Sequence, residues 1–398
     1  MKFALGGYGT RGDVEPLAAL GRELLRRGHD VCMAVPPNLV GLVESVGLAA
    51  IAYGPDTRRQ WEDDLRSLQN PISGWLSSIP GGIVRDAHTA TEWGAALASL
   101  AHGTDVLVVE GYPQGQGLAA NVAEYHGIPL VTLHIIPMPV SSGTSSGSPS
   151  AGELMAKAAQ DAQRRTLRLP EAGTAPRQAL EIHAYEQFFF PALAAESSEQ
   201  GGRRAFVGAL TLELPTDADA AALSWIAEGT PPIYFGFGSM PVPAEMLTMI
   251  SAACAQLGER ALLCAGWSDY AHVIPDSDHV KIVGAVSYAA VFPACRAVVH
   301  HGGVGTTAAG LRAGVPTLVL STWLADQTLW GIVVTHLEVG FGRPLYATTC
   351  ESLVADLRSI LTPHCAARAR EVAAQMTTPA ESVAAAADLL EKTARNPR

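Results

Sequence analysis

Residues 298 to 307 read Val-Val-His-His-Gly-Gly-Val-Gly-Thr-Thr. Ala297, Val298 and Val299 fit a strand buried on both faces, and Thr306 to Ala313 fits a short helix stopped by Gly314, with Pro316 beyond it. An apolar strand feeding a tight glycine turn and then a helix is the unit of a parallel α/β sheet, so the string constrains the fold as well as the chemistry. Gly302, Gly303 and Gly305 let backbone N–H groups approach a ligand, while Thr306 or Thr307 can cap the helix or bond an oxygen. The start of a helix also carries partial positive charge. The segment therefore suits a bound diphosphate; the plainer alternative is a glycine turn with one packed histidine. His300 and His301 alternate across the strand, so one of the two reaches the site. No lysine lies between Lys281 and Lys392, which excludes the Walker phosphate loop.

The same alternation runs through both halves of the chain. The first half places a strand at Lys2 to Gly7, a helix at Pro16 to Arg27 with Pro16 in its first turn, and a strand at Asp30 to Val35. Further strands fall at Leu48 to Tyr53, Val106 to Glu110 and Leu130 to Leu133, with a helix at Gly117 to His126. A second unit begins near Leu223, with strands at Pro232 to Phe237, Arg260 to Cys264, Val280 to Val283, Ala297 to His300 and Thr317 to Leu320. The pattern predicts an α/β chain of two doubly wound, Rossmann-like domains: residues 1–207, a linker at 208–222, and residues 223–378. Residues 379–398 are expected to form a helix packing back on the first domain. Ligands in such sheets sit at the carboxyl ends of strands, so both sets of loops are expected to face one interdomain cleft.

Two stretches interrupt the alternation. Residues 56 to 95 hold Trp61, Trp75 and Trp93 among prolines and glycines, and residues 141 to 152 form a Ser/Gly run that reads as a mobile loop. The tryptophans either line a ligand cleft or pack beneath long loops, whereas Phe188, Phe189 and Phe190 read as core.

Hydrophobic residues make up 48% of the 398 and charged residues 16%, which supplies two cores and argues against disorder. The net charge of -11 argues against a general nucleic-acid surface. The six cysteines have no paired spacing, which fits a reducing cytoplasm. Met1 leads straight into a strand, leaving no room for a signal peptide, and no uninterrupted apolar run reaches the length of roughly 18 residues that a membrane span requires. A cytoplasmic location, compatible with peripheral membrane contact, is expected.

Gly7, Gly9 and Gly12 match the dinucleotide fingerprint Gly-x-Gly-x-x-Gly after a strand. A nicotinamide site also wants an acidic residue at the end of the second strand, but that strand ends Val35-Pro36-Pro37-Asn38, and Asp13 puts a negative charge where pyrophosphate would sit. Asp13 instead suits a base that accepts a hydroxyl proton, or a helix cap; Arg11 either neutralises a phosphate or pairs with Glu15. In the second half, Gly236-Phe237-Gly238-Ser239 ends a strand with backbone donors and a hydroxyl. The strand ending at Ser321 leads through Trp323 to Asp326 and Gln327, a carboxylate beside an amide that can grip adjacent sugar hydroxyls. A phosphate site, a sugar grip and a base together describe transfer of a sugar from a nucleotide diphosphate.

On these strings the chain resembles the family 1 glycosyltransferases of GT-B fold, especially those acting on glycopeptide antibiotics, sterols and mycobacterial lipids. The resemblance is carried by Gly-Thr-Arg-Gly-Asp-Val-Glu-Pro at 9 to 16, Phe-Gly-Ser-Met at 237 to 240, His-His-Gly-Gly-Val-Gly-Thr-Thr at 300 to 307, Arg-Ala-Gly-Val-Pro at 312 to 316 and Ala-Asp-Gln at 325 to 327. Ala-Val-Pro-Pro-Asn at 34 to 38 and Asn-Val-Ala-Glu-Tyr at 121 to 125 look most like transferases that decorate glycopeptidolipids, although the Ser/Gly run departs from that subgroup.

The resemblance implies that His301, Gly302, Gly303, Gly305 and Thr306 hold the donor diphosphate, approached by Thr10, Arg11 and Ser239. It implies that Asp326 and Gln327 hold the donor sugar, that backbone near Val286 meets the nucleotide base, and that Asp13 is the general base. It further implies an inverting displacement from a UDP- or dTDP-sugar to a hydroxyl of a hydrophobic acceptor. No metal and no cofactor is required by that scheme, the sugar nucleotide being a co-substrate, and the protein is expected as a monomer or weak dimer. Two other readings stay open: a sugar-nucleotide or lipid-binding protein that lacks turnover, and a GT-B epimerase.

Overall fold

Buried apolar strands alternating with amphipathic helices produce two all-parallel sheets among the described residues, one of seven strands and one of six. The computed structural model describes residues 1–68, 87–111, 113–137, 151–170, 180–199, 203–240, 242–266, 278–322 and 325–396. Trp75, Trp323 and residues 141–150 of the Ser/Gly run lie outside the described residues, as does the side chain of Trp61.

The first unit joins Met1–Leu212 to Pro379–Arg398. Its elements run β1 (Lys2–Gly6), α1 (Arg11–Arg26), β2 (Asp30–Val35), α2 (Val40–Ser45), β3 (Ala49–Ala52), α3 (Thr57–Leu68), α4 (Ala87–Ala101), β4 (Val106–Glu110), α5 (Pro113–His126), β5 (Leu130–His134), α6 (Ala151–Thr166), β6 (Leu180–His183), α7 (Pro191–Glu199) and β7 (Arg204–Phe206). The strand order is β3-β2-β1-β4-β5-β6-β7, so the winding reverses between β1 and β4. Every residue of β4 and β5 is buried, as expected of strands covered by helices on both faces.

Helix α1 starts five residues before the Pro16 start read from the sequence. The Thr10 hydroxyl accepts from the Gly12 amide at 3.3 Å and the Asp13 carboxylate accepts from the Thr10 amide, a reciprocal cap that fixes the helix start at Arg11. Pro16 therefore lies inside the helix, not in its first turn. Val14, Leu17, Leu20, Gly21 and Leu24 form the buried stripe.

The stretch taken as irregular around Trp93 is also different: α3 and α4 are helical, and Trp93 is a buried residue of α4 packed against Tyr8 and Tyr53. Of the three adjacent phenylalanines Phe189 is buried, while Phe188 and Phe190 are half-buried beside it.

The division between units falls between Leu212 and Glu213. Val207, Ala209, Leu210 and Leu212 are buried, and the Leu212 amide donates to Glu15 Oε1 at 3.2 Å, which ties this part of the segment read as a linker to the first unit.

The second unit, Glu213–Thr378, contains α8 (Asp219–Ala227), β8 (Ile233–Gly236), α9 (Ala244–Leu257), β9 (Ala261–Cys264), β10 (Val280–Val283), α10 (Tyr288–Val291), β11 (Ala297–His300), α11 (Val304–Ala313), β12 (Thr317–Ser321), α12 (Ala325–His336), β13 (Gly340–Pro344), α13 (Cys350–Ile360) and α14 (Pro363–Ala373). Its order, β10-β9-β8-β11-β12-β13, reverses between β8 and β11. Tyr234, Leu262, Phe292 and Val298 are among the buried residues of one of its core clusters. Helix α11 ends on Gly314 in the left-handed conformation at φ 67, with the capping amide bonded to Gly310 and Leu311 carbonyls.

The last helix, α15 (Pro379–Arg395), packs on α1 of the first unit. Arg27, just past α1, donates to Asp388 at 2.5 Å, Glu391 at 3.1 Å and the Ala384 carbonyl at 3.1 Å, and also holds Glu23 at 2.8 Å. All six cysteines are free thiols. Among the described residues no helix is long and apolar enough to cross a membrane.

Candidate functional site

Open parallel sheets leave a crevice at the carboxyl ends of strands where the winding reverses. In the second unit that place lies between β8 and β11, where His300 pairs with Gly236. The turn after β11 can be built only with glycine at 302: φ is +96, and a side chain would put its Cβ 2.7 Å from the Gln327 carbonyl oxygen and 2.9 Å from Val319. The glycine turn and the first turn of α12, separate in sequence, are thus in direct contact.

Gly303 is the N-cap of α11 and provides no side-chain cap. Thr307 N is the first amide bonded back, to the Gly303 carbonyl at 2.9 Å, so the amides of Val304, Gly305 and Thr306 precede the first intrahelical bond. Space beside Gly305 is open, with no described atom within 4 Å of a Cβ built there. Thr306 and Thr307 lie inside the helix and are buried, which corrects the expectation that one of them caps it; Thr307 Oγ1 donates instead to the Gly303 carbonyl at 2.9 Å.

The two histidines have separate tasks. His300 is fully buried, and its Nδ1 accepts the Gly302 amide hydrogen at 2.9 Å. Burial, with a smaller contribution from His301, lowers its pKa to about 3. His301 is half-buried with its ring lodged between the turns after β8 and β11: a Cβ on Gly238 would lie 3.0 Å from its Cε1, and one on Gly303 2.7 Å from its Nε2. Burial lowers its pKa to about 4 against an opposing hydrogen bond to the Gly236 backbone, so at neutral pH it is an uncharged hydrogen-bonding ring. Ser239 is half-buried in the turn after β8.

Gln327 is buried, and its Oε1 accepts from Thr322 N at 2.9 Å and Thr322 Oγ1 at 2.7 Å. Half of its hydrogen-bonding capacity is therefore spent on tying the start of α12 to Thr322 at the end of β12, while Asp326 beside it is half-buried in the first turn of α12. Val286 packs its side chain into the core, leaving only backbone for a ligand. Sequence reasoning missed the residue that holds this backbone: Asp219 accepts from the Ser287 amide at 2.7 Å and from the Thr216 amide and hydroxyl at 2.8 and 2.7 Å. Burial raises its pKa, but these three donors outweigh it and the pKa is lowered. An acidic residue three places after a threonine at a helix start was the available signal.

In the first unit the reversal between β1 and β4 is flanked by the loop Gly7–Thr10 and by Glu110. Thr10 and Asp13 form the cap of α1, and Asp13 is half-buried. Gly9, at φ +138, lies directly against the Asp13 carboxylate, leaving no room for a side chain. Arg11 is exposed and pairs with Glu15 at 2.6 Å.

Glu110 also went unremarked in the sequence. It ends an apolar strand, is 6% exposed, and neither carboxylate oxygen has a hydrogen-bond partner among the described residues. Burial first, then the adjacent Asp13 carboxylate, hold its pKa well above the carboxylate range. A second buried polar group lies at the ends of β5 and β6, where His134 stacks on His183 at 5.0 Å and His183 Nδ1 meets the Tyr185 hydroxyl at 2.5 Å. Burial lowers these two histidines to about 4 and about 3. No cluster of three His, Cys, Asp or Glu is placed to hold a metal ion among the described residues.

Comparison with known proteins places this geometry. The glycosyltransferase family 28 N-terminal domain model matches residues 3–99, and the erythromycin biosynthesis protein CIII-like C-terminal domain model matches residues 262–391. An uncharacterized glycosyltransferase of Mycobacterium tuberculosis is 52% identical over 431 aligned positions covering 100% of both chains. Glycosyltransferase GtfE of Amycolatopsis orientalis is 31% identical over 98% of this chain and 97% of its own. Among solved structures, the glycotransferase of kitacinnamycin superposes with a TM-score of 0.74 at 19% identity, covering 98% of each chain. A Streptomyces glycosyltransferase complexed with thymidine diphosphate gives 0.64 at 20% identity over 98% of this chain and 99% of that one. The match over the full chain, joined to two doubly wound parallel sheets with a glycine cradle at the reversal of the second, shows that this chain belongs to the glycosyltransferases of GT-B fold.

Proposed function

We propose that the enzyme moves a hexose or deoxyhexose from a UDP- or dTDP-sugar to a hydroxyl of a hydrophobic acceptor, a lipid, lipopeptide or natural-product aglycone, with inversion at the anomeric carbon. The observation that carries the reading is the meeting, at one strand reversal, of the start of α11 with no side-chain cap, the ring of His301 and the Asp326–Gln327 turn of α12. The amides of Val304, Gly305 and Thr306 and the positive end of the helix suit a diphosphate. His301 contributes a hydrogen bond and no charge, because burial keeps it neutral. Asp326 and the amide of Gln327 suit donor-sugar hydroxyls, and the backbone at Val286 suits the base. Ser239, Thr10 and Arg11 are assigned to the diphosphate as well; Thr10 also caps α1, and Arg11 is paired with Glu15.

In the proposed reaction the acceptor oxygen attacks the anomeric carbon, the bond to the diphosphate oxygen breaks with its electron pair, and the hydroxyl proton passes to Asp13. A carboxylate is a weak base, so the proton moves late, when the attacking oxygen has become acidic. Charge developing on the leaving diphosphate is met by the α11 amides and His301. The scheme calls for no metal or cofactor, and the protein is proposed to act as a monomer or weak dimer with peripheral access to membrane lipids.

The test is incubation with a panel of UDP- and dTDP-sugars, with and without hydroxylated lipids, peptides and aglycones, read by mass shift. Product that requires the acceptor supports transfer; donor consumption without acceptor points to an epimerase or hydrolase, and donor binding without consumption to a binding protein.

A further inference from the structure

Glu110 ends β4 in the strand next to β1, where the winding of the first sheet reverses, and Val109 before it pairs with Gly6. The chain leaving β1 passes Gly7 and Gly9 and reaches Asp13 in the first turn of α1. Two carboxyl groups thus meet at the strand reversal, one from the end of β4 and one from the first turn of α1. An ionised carboxylate that is buried with no cation is strongly disfavoured, and neither oxygen of Glu110 has a hydrogen-bond partner among the described residues. The charged group acting on it is Asp13 of α1, a like charge whose carboxylate lies within hydrogen-bonding reach of a protonated Glu110; the Tyr8 backbone acts in the opposite sense and is outweighed.

The geometry points to Glu110 as a positioning residue for Asp13: a protonated Glu110 and an ionised Asp13 hold one proton between them at neutral pH, with Glu110 as donor. The inference rests on Asp13 being the general base. The Thr10 amide already fixes Asp13 Oδ2 from the loop side. A hydroxyl donated by Glu110 fixes the carboxylate from the sheet side, so a single orientation is presented to the acceptor. Glu110 stays neutral and leaves Asp13 the one anion of the pair. When the acceptor proton reaches Asp13, both carboxyls are protonated and the pair is neutral; release of that proton to solvent restores the starting state.

The experiment compares wild type with Glu110→Gln, Glu110→Leu and Asp13→Asn, using isotope-edited infrared spectra of protein labelled with 13C-glutamate. Wild type is expected to show a protonated glutamate carbonyl band at neutral pH that Glu110→Gln lacks. In Asp13→Asn the band should vanish at lower pH than in wild type, because the like charge that favours the proton is gone. In turnover, Glu110→Leu should lower kcat about tenfold with donor KM unchanged, the factor for losing one charge-assisted hydrogen bond, while Glu110→Gln keeps the donor and most of the rate. Absence of the band at neutral pH, or equal kcat in Glu110→Leu and wild type, overturns the proposal. The spectra read the shared proton whether or not transfer is observed. If Asp13→Asn turns over normally while the band is present, the assignment of Asp13 as base has failed and not the pairing.

Discussion

His300 accepts the amide hydrogen of Gly302 on its Nδ1 at 2.9 Å, so the histidine that does not face the turn opening is the one that braces the turn from inside the sheet. With Nδ1 accepting, the neutral ring carries its proton on Nε2. The adjacent pair in the sequence is therefore a brace followed by a ring lodged against Gly238 and Gly303, and the turn they lead into tolerates no side chain at Gly302.

Gly302→Ala tests that turn. The strained φ costs about 1–3 kcal/mol, and the Cβ must push the first turn of α12 away at Gln327. A fall in Tm together with loss of UDP or dTDP binding by calorimetry is expected; an unchanged Kd would separate the turn from the donor site.

Asp13→Asn should abolish transfer, by about 10²–10⁴-fold in kcat, while leaving donor binding largely intact, since the change removes a base without removing volume. The cap on α1 weakens little, because an Asn oxygen can still accept the Thr10 amide. Turnover close to wild type would remove Asp13 from its role.

Gln327→Glu and Gln327→Ala should behave differently. Alanine leaves the Thr322 amide and hydroxyl without their acceptor and costs about 1–3 kcal/mol in stability. Glutamate keeps the acceptor but loses the amide donor, so it should preserve Tm and raise donor KM. Equal KM in the glutamate variant and wild type would limit Gln327 to shaping the loop.

Stability should fall in acid over a defined window. His134, His183, His300 and His301 have folded pKa values lowered from 6.5 to between about 3 and about 4, so below 6.5 the unfolded chain binds protons that the folded chain refuses. Their contribution is complete above 6.5 and is lost as pH falls through the window, at a slope of up to about 1.4 kcal/mol per pH unit for each group. Glu110 acts in the opposite direction, since its raised pKa makes the folded state the better proton binder above the carboxylate range. Urea midpoints measured between pH 7 and pH 4 should decline, and a flat profile would contradict the neutral burial of the four rings.

Arg27→Ala should destabilise the first unit by about 1–2 kcal/mol, because the guanidinium joins Glu23 to Asp388, Glu391 and the Ala384 carbonyl on the last helix. Hydrogen exchange should rise along α15 and not in the second unit. Uniform exchange changes across both units would argue against a local staple.

The readable parts of the fold were those with one dominant cause. β4 and β11 carry their boundaries in apolar runs between turn residues, and Gly314 ends α11 where a left-handed residue is required. Helix starts depart from the apolar pattern where the cap residue sets them: the Thr10 and Asp13 side chains move α1 back to Arg11, and the backbone of Gly303 starts α11 at Val304, two residues before Thr306. β6 and β7 are short and mixed in polarity, and β13 reads as a turn because it contains Gly340, Gly342 and Pro344. Gly342 is accommodated because its backbone packs on Gly331, a contact invisible in local pattern. Most of the residues proposed for the donor diphosphate were legible because His301 to Thr306 cluster in one string, whereas Glu110 and Asp219 act through partners remote in sequence.

Helix α15 belongs to the unit that opens the chain, yet it is encoded after the whole of the other one. During synthesis the second unit has all its strands before the first has its final helix, so α1 waits with Arg27 lacking its partners on α15 while residues 213–378 emerge. Domains commonly complete in the order they are translated. Here the order of completion is reversed, and the first unit is sealed last.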